Sequence, residues 1–138
     1  MTKKLNKNTD KPICNAPFTS AYYFGLRGNL GFCCSWEDDK QPYYKVNKDG
    51  PPEEFWTSQY AQDIRQQMLN GEWPEGCYNC KWHEDRGLES DIDMFRKIPV
   101  DVKDFDGFVE GYDNQFLEKL VSRLYAIRDQ ASLIKESI

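Results

Sequence analysis

The chain has 138 residues and a mass of 16.2 kDa, which suits one domain with a single modest core. A net charge of −5 and a pI near 4.9 argue against a nucleic-acid-binding protein, because such proteins need a basic surface to neutralise phosphates. Hydrophobic residues make up 39% of the chain and aromatic residues 14%, so we expect a small core rich in aromatic side chains. No apolar run approaches the ~18 residues of a transmembrane helix, and we expect neither a membrane span nor a signal peptide.

The first third of the chain predicts a polar tail, a β-hairpin and a loop. Residues 1–12 are charged and polar, as in a tail. Between residues 13 and 36, an apolar run, turn residues at 27–29 and a second short run at 30–34 are typical of a hairpin. Residues 37–52 are acidic and contain proline and glycine, which indicates a loop.

A central helix is predicted at about residues 53–70. Proline and glutamate at its start favour a first helical turn, and Gly71 follows its end. An apolar residue recurs at every fourth position, and we expect this stripe to face the core. The stripe consists of Trp56, Tyr60, Ile64 and Met68, with Phe55 and Leu69 near its edges.

The C-terminal part predicts a short helix, an acidic loop and a long helix. The charged residues 81–97 suit a short helix, and residues 99–112 are acidic and turn-like. Residues 113–138 form a C-terminal segment in which apolar positions repeat with a helical period, and a helix of this length would reach roughly 35 Å. Its apolar face packs either against a protein partner or second copy, or on the core of its own chain. We therefore divide the chain into a tail (1–12), a domain (13–98), the loop and this helix.

Four of the five cysteines have the spacing of a metal or iron–sulfur site: Cys14, Cys33, Cys77 and Cys80. The pair at 77 and 80 offers two thiolates with two residues between them, as structural zinc sites and iron–sulfur clusters do. Cys14 and Cys33 would complete a shell of four thiolates. Such a site would link remote segments of a small fold, and structural metal binding can contribute ~10–16 kcal/mol. An odd number of cysteines fits four ligands and one spectator in a reducing compartment, and we expect a cytoplasmic protein.

Other polar residues near these cysteines are weaker candidates. Cys34 would point away from Cys33 on a strand. His83 follows Cys80 by three residues and could be a ligand, but we expect it at the surface or beside the site. Three arginines could donate hydrogen bonds to cluster sulfurs, although each is first expected to be solvated or ion-paired: Arg27, Arg65 and Arg86. A single histidine and no Ser/His/Asp set offer little for acid–base or nucleophilic catalysis.

The motifs around these cysteines resemble those of a known family. Cys14 is followed after 13 residues by Gly28, and four further residues separate Gly28 from Cys33, a spacing that favours Cys33 over Cys34 as a ligand. The other matching segments are 14–18, 28–34, 55–58, 64–65, 68–74 and 77–80, with Glu84 and Gly87. Together, residues 13–90 resemble the twitch/SPASM-type auxiliary-cluster domain of radical SAM proteins. The resemblance implies a [4Fe–4S] cluster on the four cysteines; zinc stays open as the alternative, because four thiolates suit both.

Two departures from the family limit the implied activity. The sequence lacks the C-x3-C-x2-C motif that holds the SAM-cleaving cluster, and it is too short for the catalytic barrel. Arg86 and Ser90 stand where the longer SPASM pattern has further cysteines, so one cluster is implied.

The sequence therefore predicts a small metal-stapled α+β domain with an N-terminal β-hairpin, a central helix, a C-x2-C turn and a long C-terminal helix. We expect an iron–sulfur accessory protein, without radical SAM catalysis of its own, that transfers electrons to a separate enzyme or positions a peptide or partner for it. The alternative is a structural protein of a larger assembly, such as a virion, whose four-cysteine site only stabilises the fold. In both hypotheses we expect the C-terminal helix to contact a protein partner or a second copy. We expect no contact with nucleic acid or a membrane.

Overall fold

Short helices surround a small antiparallel sheet in the computed structural model, which describes residues 3–24, 28–103 and 105. These elements are consistent with the predicted α+β class. The hairpin consists of β1 (Tyr22–Phe24) and β2 (Asn29–Gly31), with Tyr22 opposite Gly31. Gly28 precedes β2 with a φ of 73°, a conformation that glycine adopts without steric cost.

A third strand lies in the segment predicted to be a loop. This strand, β3 (Tyr44–Lys45), pairs antiparallel with β2 and places Tyr44 opposite Leu30. The side chain of Tyr44 is buried, and its hydroxyl donates to the Pro51 carbonyl oxygen at 3.0 Å. Two residues are too few to show the alternation that identifies a strand in a sequence, which is why the prediction missed it.

The central helix, α2 (Gln59–Leu69), is shorter than predicted because the chain is interrupted at Ser58. The Ser58 hydroxyl accepts a hydrogen bond from the Ala61 N–H at 3.1 Å and so caps the helix at that point. A 3₁₀ turn, Pro52–Glu54, occupies the beginning of the predicted helix. At the other end Gly71 has a φ of 74°, as expected for the residue after a helix terminus.

Three shorter helices carry or flank the cysteines. The first, α1 (Ala16–Thr19), is one turn that follows Cys14. The charged stretch predicted as one short helix instead contributes to two, α3 (Tyr78–Asp85) and α4 (Asp91–Arg96). They are separated at Gly87, whose φ of 68° ends the helical path.

The core is rich in aromatic residues and continues past residue 98, where the sequence analysis ended the domain. Phe105 lies 5.0 Å from Phe18 between ring centroids, and Val102 is 1% exposed. Besides these, the core includes Leu30, Phe32, Trp36, Tyr44, Phe55, Trp56, Ile64, Met68, Leu69, Ile92 and Phe95. The predicted C-terminal helix lies outside the described residues.

Candidate metal centre

Cys14 enters the site from the start of α1. The Ile13 N–H donates to the Met68 carbonyl oxygen at 3.1 Å, which ties the residue before Cys14 to the last turn of α2. The Cys14 thiol is buried, and the N–H of Ala16 lies 3.4 Å from its sulfur. A main-chain N–H directed at sulfur favours the thiolate form.

Cys33 enters two residues after the end of β2. Phe32 is buried in the core beside it, 5.1 Å from Phe55 between ring centroids. The main-chain N–H of Ser35 is hydrogen-bonded to the Cys33 sulfur, as Ala16 is to Cys14.

Cys77 and Cys80 lie where a 3₁₀ turn, Glu75–Cys77, passes directly into α3. The predicted C-x2-C turn is therefore helical. Gly76 packs against the Trp36 ring so closely that an added Cβ would lie 2.0 Å from a ring carbon. Its N–H also donates to Gln41 Oε1 at 3.1 Å, and its carbonyl accepts from Glu37 at 2.9 Å. These contacts hold the residue before Cys77.

The structure brings all four predicted cysteines to one cavity. The cavity contains about 410 Å³ of space that no protein atom fills, part of it open to solvent. Its lining combines the thiols of Cys14, Cys33, Cys77 and Cys80 with apolar side chains of the core, among them Phe32, Trp36, Met68, Ile92 and Phe95. Three segments distant in the sequence thus present four sulfur atoms to one largely apolar space.

The thiols in this cavity resist ionisation. Burial raises the pKa of Cys14 from 9.0 to about 11 and the pKa of Cys33 to about 12. Burial also raises the pKa of Cys77, and the neighbouring cysteines Cys33, Cys14 and Cys80 raise it further. The pKa of Cys80 is raised by burial too, against the effect of nearby hydrogen-bond donors. Without a bound cation all four are neutral thiols at neutral pH, and a cation would have to displace their protons.

The N-terminal end of α4 forms a further side of the site, which the sequence analysis missed. The Ser90 side chain and the Ile92 main chain lower the pKa of Cys80 and so favour its thiolate, against the effect of burial. Ser90 and Asp93 also form the capping box that begins the helix, in which the Ser90 N–H donates to Asp93 Oδ2 at 3.1 Å. That Ser-x-x-Asp pattern could have identified the start of α4. No local pattern shows that this start packs against Cys80.

Arg96, at the other end of α4, is the cation beside the sulfur atoms. Its Nε donates to the Ile13 carbonyl oxygen at 2.9 Å, and its guanidinium forms an ion pair with Glu84. Arg96 thereby connects the residue before Cys14 to the helix that carries Cys80. The positive charge of Arg96 lowers the pKa of Cys14 and of Cys80, which partly offsets the increase caused by burial.

The weaker candidates are placed outside the cavity lining. Cys34 is exposed, no longer on a strand, and its sulfur lies 3.9 Å from an Asp91 carboxylate oxygen. His83 Nδ1 lies 2.7 Å from the carbonyl oxygen of Asn79, one turn back in α3.

The arginines considered as sulfur donors have other contacts. Arg65 is fully buried and donates to the carbonyl oxygens of Pro17 at 2.7 Å and Trp56 at 2.6 Å. The guanidinium of Arg86 lies 4.0 Å from the centroid of the Trp82 ring. Arg27 lies outside the described residues.

Within the described residues, no group of three or more His, Cys, Asp or Glu side chains has the geometry to hold a metal ion. No helix in this same part of the chain is long and apolar enough to cross a bilayer. Comparisons with protein-family models, curated proteins and solved structures give no match.

Proposed function

We propose that Cys14, Cys33, Cys77 and Cys80 hold a [4Fe–4S] cluster, and that the chain serves a separate enzyme as an accessory protein. The observation that carries this proposal is the shared cavity, to which three remote segments each contribute a thiol or a pair of thiols. Two buried and two half-buried thiols in contact with one space are costly to ionise, and a cationic centre would offset that cost for all four at once.

The surroundings of the sulfur atoms fit such a group. Main-chain N–H groups of Ala16, Ser35 and Ile92 are directed at three of the four sulfurs. Hydrogen bonds to cluster sulfur, net charge and solvent exposure are what set the potential of an iron–sulfur centre. Arg96 adds one positive charge on the side of Cys14 and Cys80.

A cluster is favoured over zinc by the resemblance of residues 13–90 to the twitch/SPASM-type domain. Four thiolates suit a [4Fe–4S] cluster and tetrahedral zinc alike, so the iron and zinc content of the purified protein distinguishes the two.

In this proposal the chain's residues enclose and orient a one-electron carrier. When bound, the cluster supplies electron transfer. The apolar side chains of the lining reduce contact with water, the N–H donors stabilise negative charge on sulfur, and Arg96 stabilises it further.

Anaerobic purification followed by iron, sulfide and zinc analysis tests the proposal. We expect about four iron and four sulfide per chain, with one-electron reduction detected by electron paramagnetic resonance. A matched Cys34→Ser variant should keep the cluster, whereas Cys77→Ser should lose it. Stoichiometric zinc without sulfide would contradict the cluster assignment. Incubation of the reduced protein with SAM should yield no 5′-deoxyadenosine, since the sequence lacks the three-cysteine motif.

A second candidate function is structural: the centre only stabilises a protein of a larger assembly. The observation that favours it is the position of the cavity, because Cys14 and Cys80 belong to the same buried cluster as the core aromatic residues. The two candidates differ in redox behaviour. A structural centre predicts metal-dependent folding with no reversible reduction, while an electron carrier must cycle without loss of iron.

A further inference from the structure

The N-terminal segment, residues 3–11, lies against α2 and forms no helix or strand of its own. From residue 4 to residue 10 its side chains alternate between exposed and partly buried, with Leu5, Lys7 and Thr9 on the inner side. This period of two is that of a β-strand. The segment was expected to be a free polar tail, and it instead makes ordered contacts.

Glutamine side chains of α2 hold the main chain of this segment. The Lys3 N–H donates to Gln59 Oε1 at 2.9 Å. The Asn6 N–H donates to Gln66 Oε1 at 2.7 Å, and Gln66 Nε2 donates back to the Asn6 carbonyl oxygen at 3.1 Å. The Gln62 amide reaches the Lys3 carbonyl oxygen at 3.5 Å. Gln59, Gln62 and Gln66, here called the glutamine surface, thus replace a neighbouring strand as the hydrogen-bonding partner.

Two side chains of the segment provide the selective contacts. Leu5 packs against the hydrophobic core between the two hydrogen-bonded positions. Lys7 Nζ donates to the carbonyl oxygens of Lys103, at 3.0 Å, and of Phe105. The hydrogen bonds from the glutamine side chains accept any sequence in the segment, because on the segment's side they involve only main-chain atoms. The contacts of Leu5 and Lys7 require an apolar residue followed two positions later by a lysine.

The contacts are of a kind that can exchange with a competitor. The bonds at Gln59 and Gln66 are exposed to solvent, and the segment buries one apolar side chain only in part. Segments near chain ends with few buried contacts open readily. Ile13, whose N–H is bonded to Met68, marks the point at which the segment joins the cysteine site.

We propose that the glutamine surface is a binding site for an extended polypeptide with an apolar residue and a lysine two positions later. Residues 3–7 occupy this site within the chain, and a partner peptide of the same pattern displaces them. The occupant would then lie along α2, whose last turn is hydrogen-bonded to the residue before Cys14. The proposal does not depend on which metal the cysteines bind, and its tests use no metal readout.

The first test measures binding of a labelled synthetic peptide with the sequence of residues 1–12 to the full-length chain. A variant with Leu5→Ser and Lys7→Gln weakens the competing internal segment, which otherwise acts at an effective concentration in the millimolar range. We expect the variant to bind the peptide about tenfold or more tightly than the wild type does. Adding Gln59→Ala and Gln66→Ala to this variant should abolish the gain, and a peptide carrying the Leu5→Ser and Lys7→Gln changes should not bind. Equal affinity of variant and wild type, or binding that survives the glutamine changes, would overturn the proposal.

The second test requires no substitution and covers the case in which a variant does not fold. Unlabelled peptide is added to isotope-labelled wild-type protein while the amide resonances of Lys3 and Asn6 are followed. Displacement of the internal segment predicts that both resonances move to the positions of a free chain, with faster hydrogen exchange. Saturating peptide that leaves both resonances unchanged would refute displacement.

Discussion

At the scale of single residues, the four cysteines of the cavity differ sharply from the fifth. Cys14 and Cys80 are buried, while Cys34 is exposed one residue after Cys33. Neighbouring positions in the sequence thus lie in different environments. The pKa values of Cys14 and Cys33 are raised by burial, so both thiols are protonated at neutral pH when no cation is bound.

Cys77→Ser should destabilise the protein far more than Cys34→Ser. The first change removes a proposed ligand and the folding energy linked to the metal, which in structural sites reaches ~10–16 kcal/mol in total. The second alters an exposed side chain and should shift the free energy of unfolding by about 0.5 kcal/mol or less. Thermal unfolding of the two variants, both purified anaerobically with metal supplied, checks this, and equal melting temperatures would contradict the ligand assignment.

The metal-free protein should lose stability as the pH rises above about 9. The folded-state pKa values of Cys14 and Cys33, about 11 and about 12, exceed the ordinary value of 9.0. Thiols whose pKa is raised on folding contribute fully below pH 9, and the contribution is lost as the pH rises to these folded values, at ~1.4 kcal/mol for each pKa unit. Chemical denaturation at several pH values measures the slope. In a variant with Cys14→Ser and Cys33→Ser, the unfolding free energy should depend less steeply on pH. An unchanged slope would mean that other groups cause the pH dependence.

Arg96→Gln should lower the reduction potential of the loaded protein with little loss of stability. Removing a positive charge near Cys14 and Cys80 disfavours the reduced state, which is the more negative one. A shift of ~59 mV corresponds to a tenfold change in the equilibrium constant for one-electron reduction. The lost ion pair with Glu84 is solvent-exposed on both sides and contributes only ~0–1 kcal/mol. Redox titration checks the shift. Arg96→Lys keeps the charge and should have a reduction potential close to that of the wild type. If its potential instead equals that of Arg96→Gln, Arg96 acts by positioning the site and not by its charge.

At the scale of elements, the site depends on where short helices begin and end. The passage from the 3₁₀ turn into α3 sets the positions of Cys77 and Cys80, and it requires close contact between Gly76 and Trp36. The start of α4 supplies donors to Cys80. Each of these elements is too short to be stable alone, so packing around the cavity holds them.

Gly76→Ala should disrupt the site, whereas Gly87→Ala should leave it loaded. A Cβ at position 76 would meet the Trp36 ring at 2.0 Å, so either the ring or the segment before Cys77 must move. Overpacking of this kind costs ~1–3 kcal/mol. Gly87 has open space but a φ of 68°, and its replacement costs only the backbone strain of ~1–2 kcal/mol. Metal content per chain separates the two variants, and full loading of Gly76→Ala would show that the contact is dispensable.

At the scale of the whole molecule, a small aromatic core and a central cavity are joined by long-range contacts. The N-terminal segment lies on α2, and Phe105 packs on Phe18. The cavity thiols come from segments on three sides of this core. A small core supplies little hydrophobic stabilisation, and a bound metal and a partner would therefore both contribute much to the stability of the protein.

Deletion of residues 114–138 should leave a folded, metal-loaded domain that no longer associates with its partner or with a second copy. The prediction rests on the helical period of the apolar residues in this segment, each of which could contribute ~1.5–3 kcal/mol on full burial. Sedimentation velocity and co-purification measure association. A full-length variant with Leu120→Glu and Ile127→Glu provides the matched control. Failure of both proteins to fold would mean that the segment belongs to the domain's own core.

Local sequence patterns predicted the features that depend on neighbouring residues. The glycine after α2, the hairpin and an aromatic core follow from turn chemistry and periodicity, and the structure contains them. The cysteine spacing also singled out the four thiols that line one cavity. In each case the physical cause acts over a few residues, so the sequence shows it directly.

Features that depend on distant contacts could not be predicted in this way. The interruption at Ser58, the two-residue strand at Tyr44–Lys45 and the approach of Arg96 to Cys14 have no distinctive local pattern. The docking of the N-terminal segment on α2 joins residues 60 positions apart, such as Asn6 and Gln66. Only the packed chain brings such groups together, because their pairing depends on the free energy of the whole fold and on no short stretch of it.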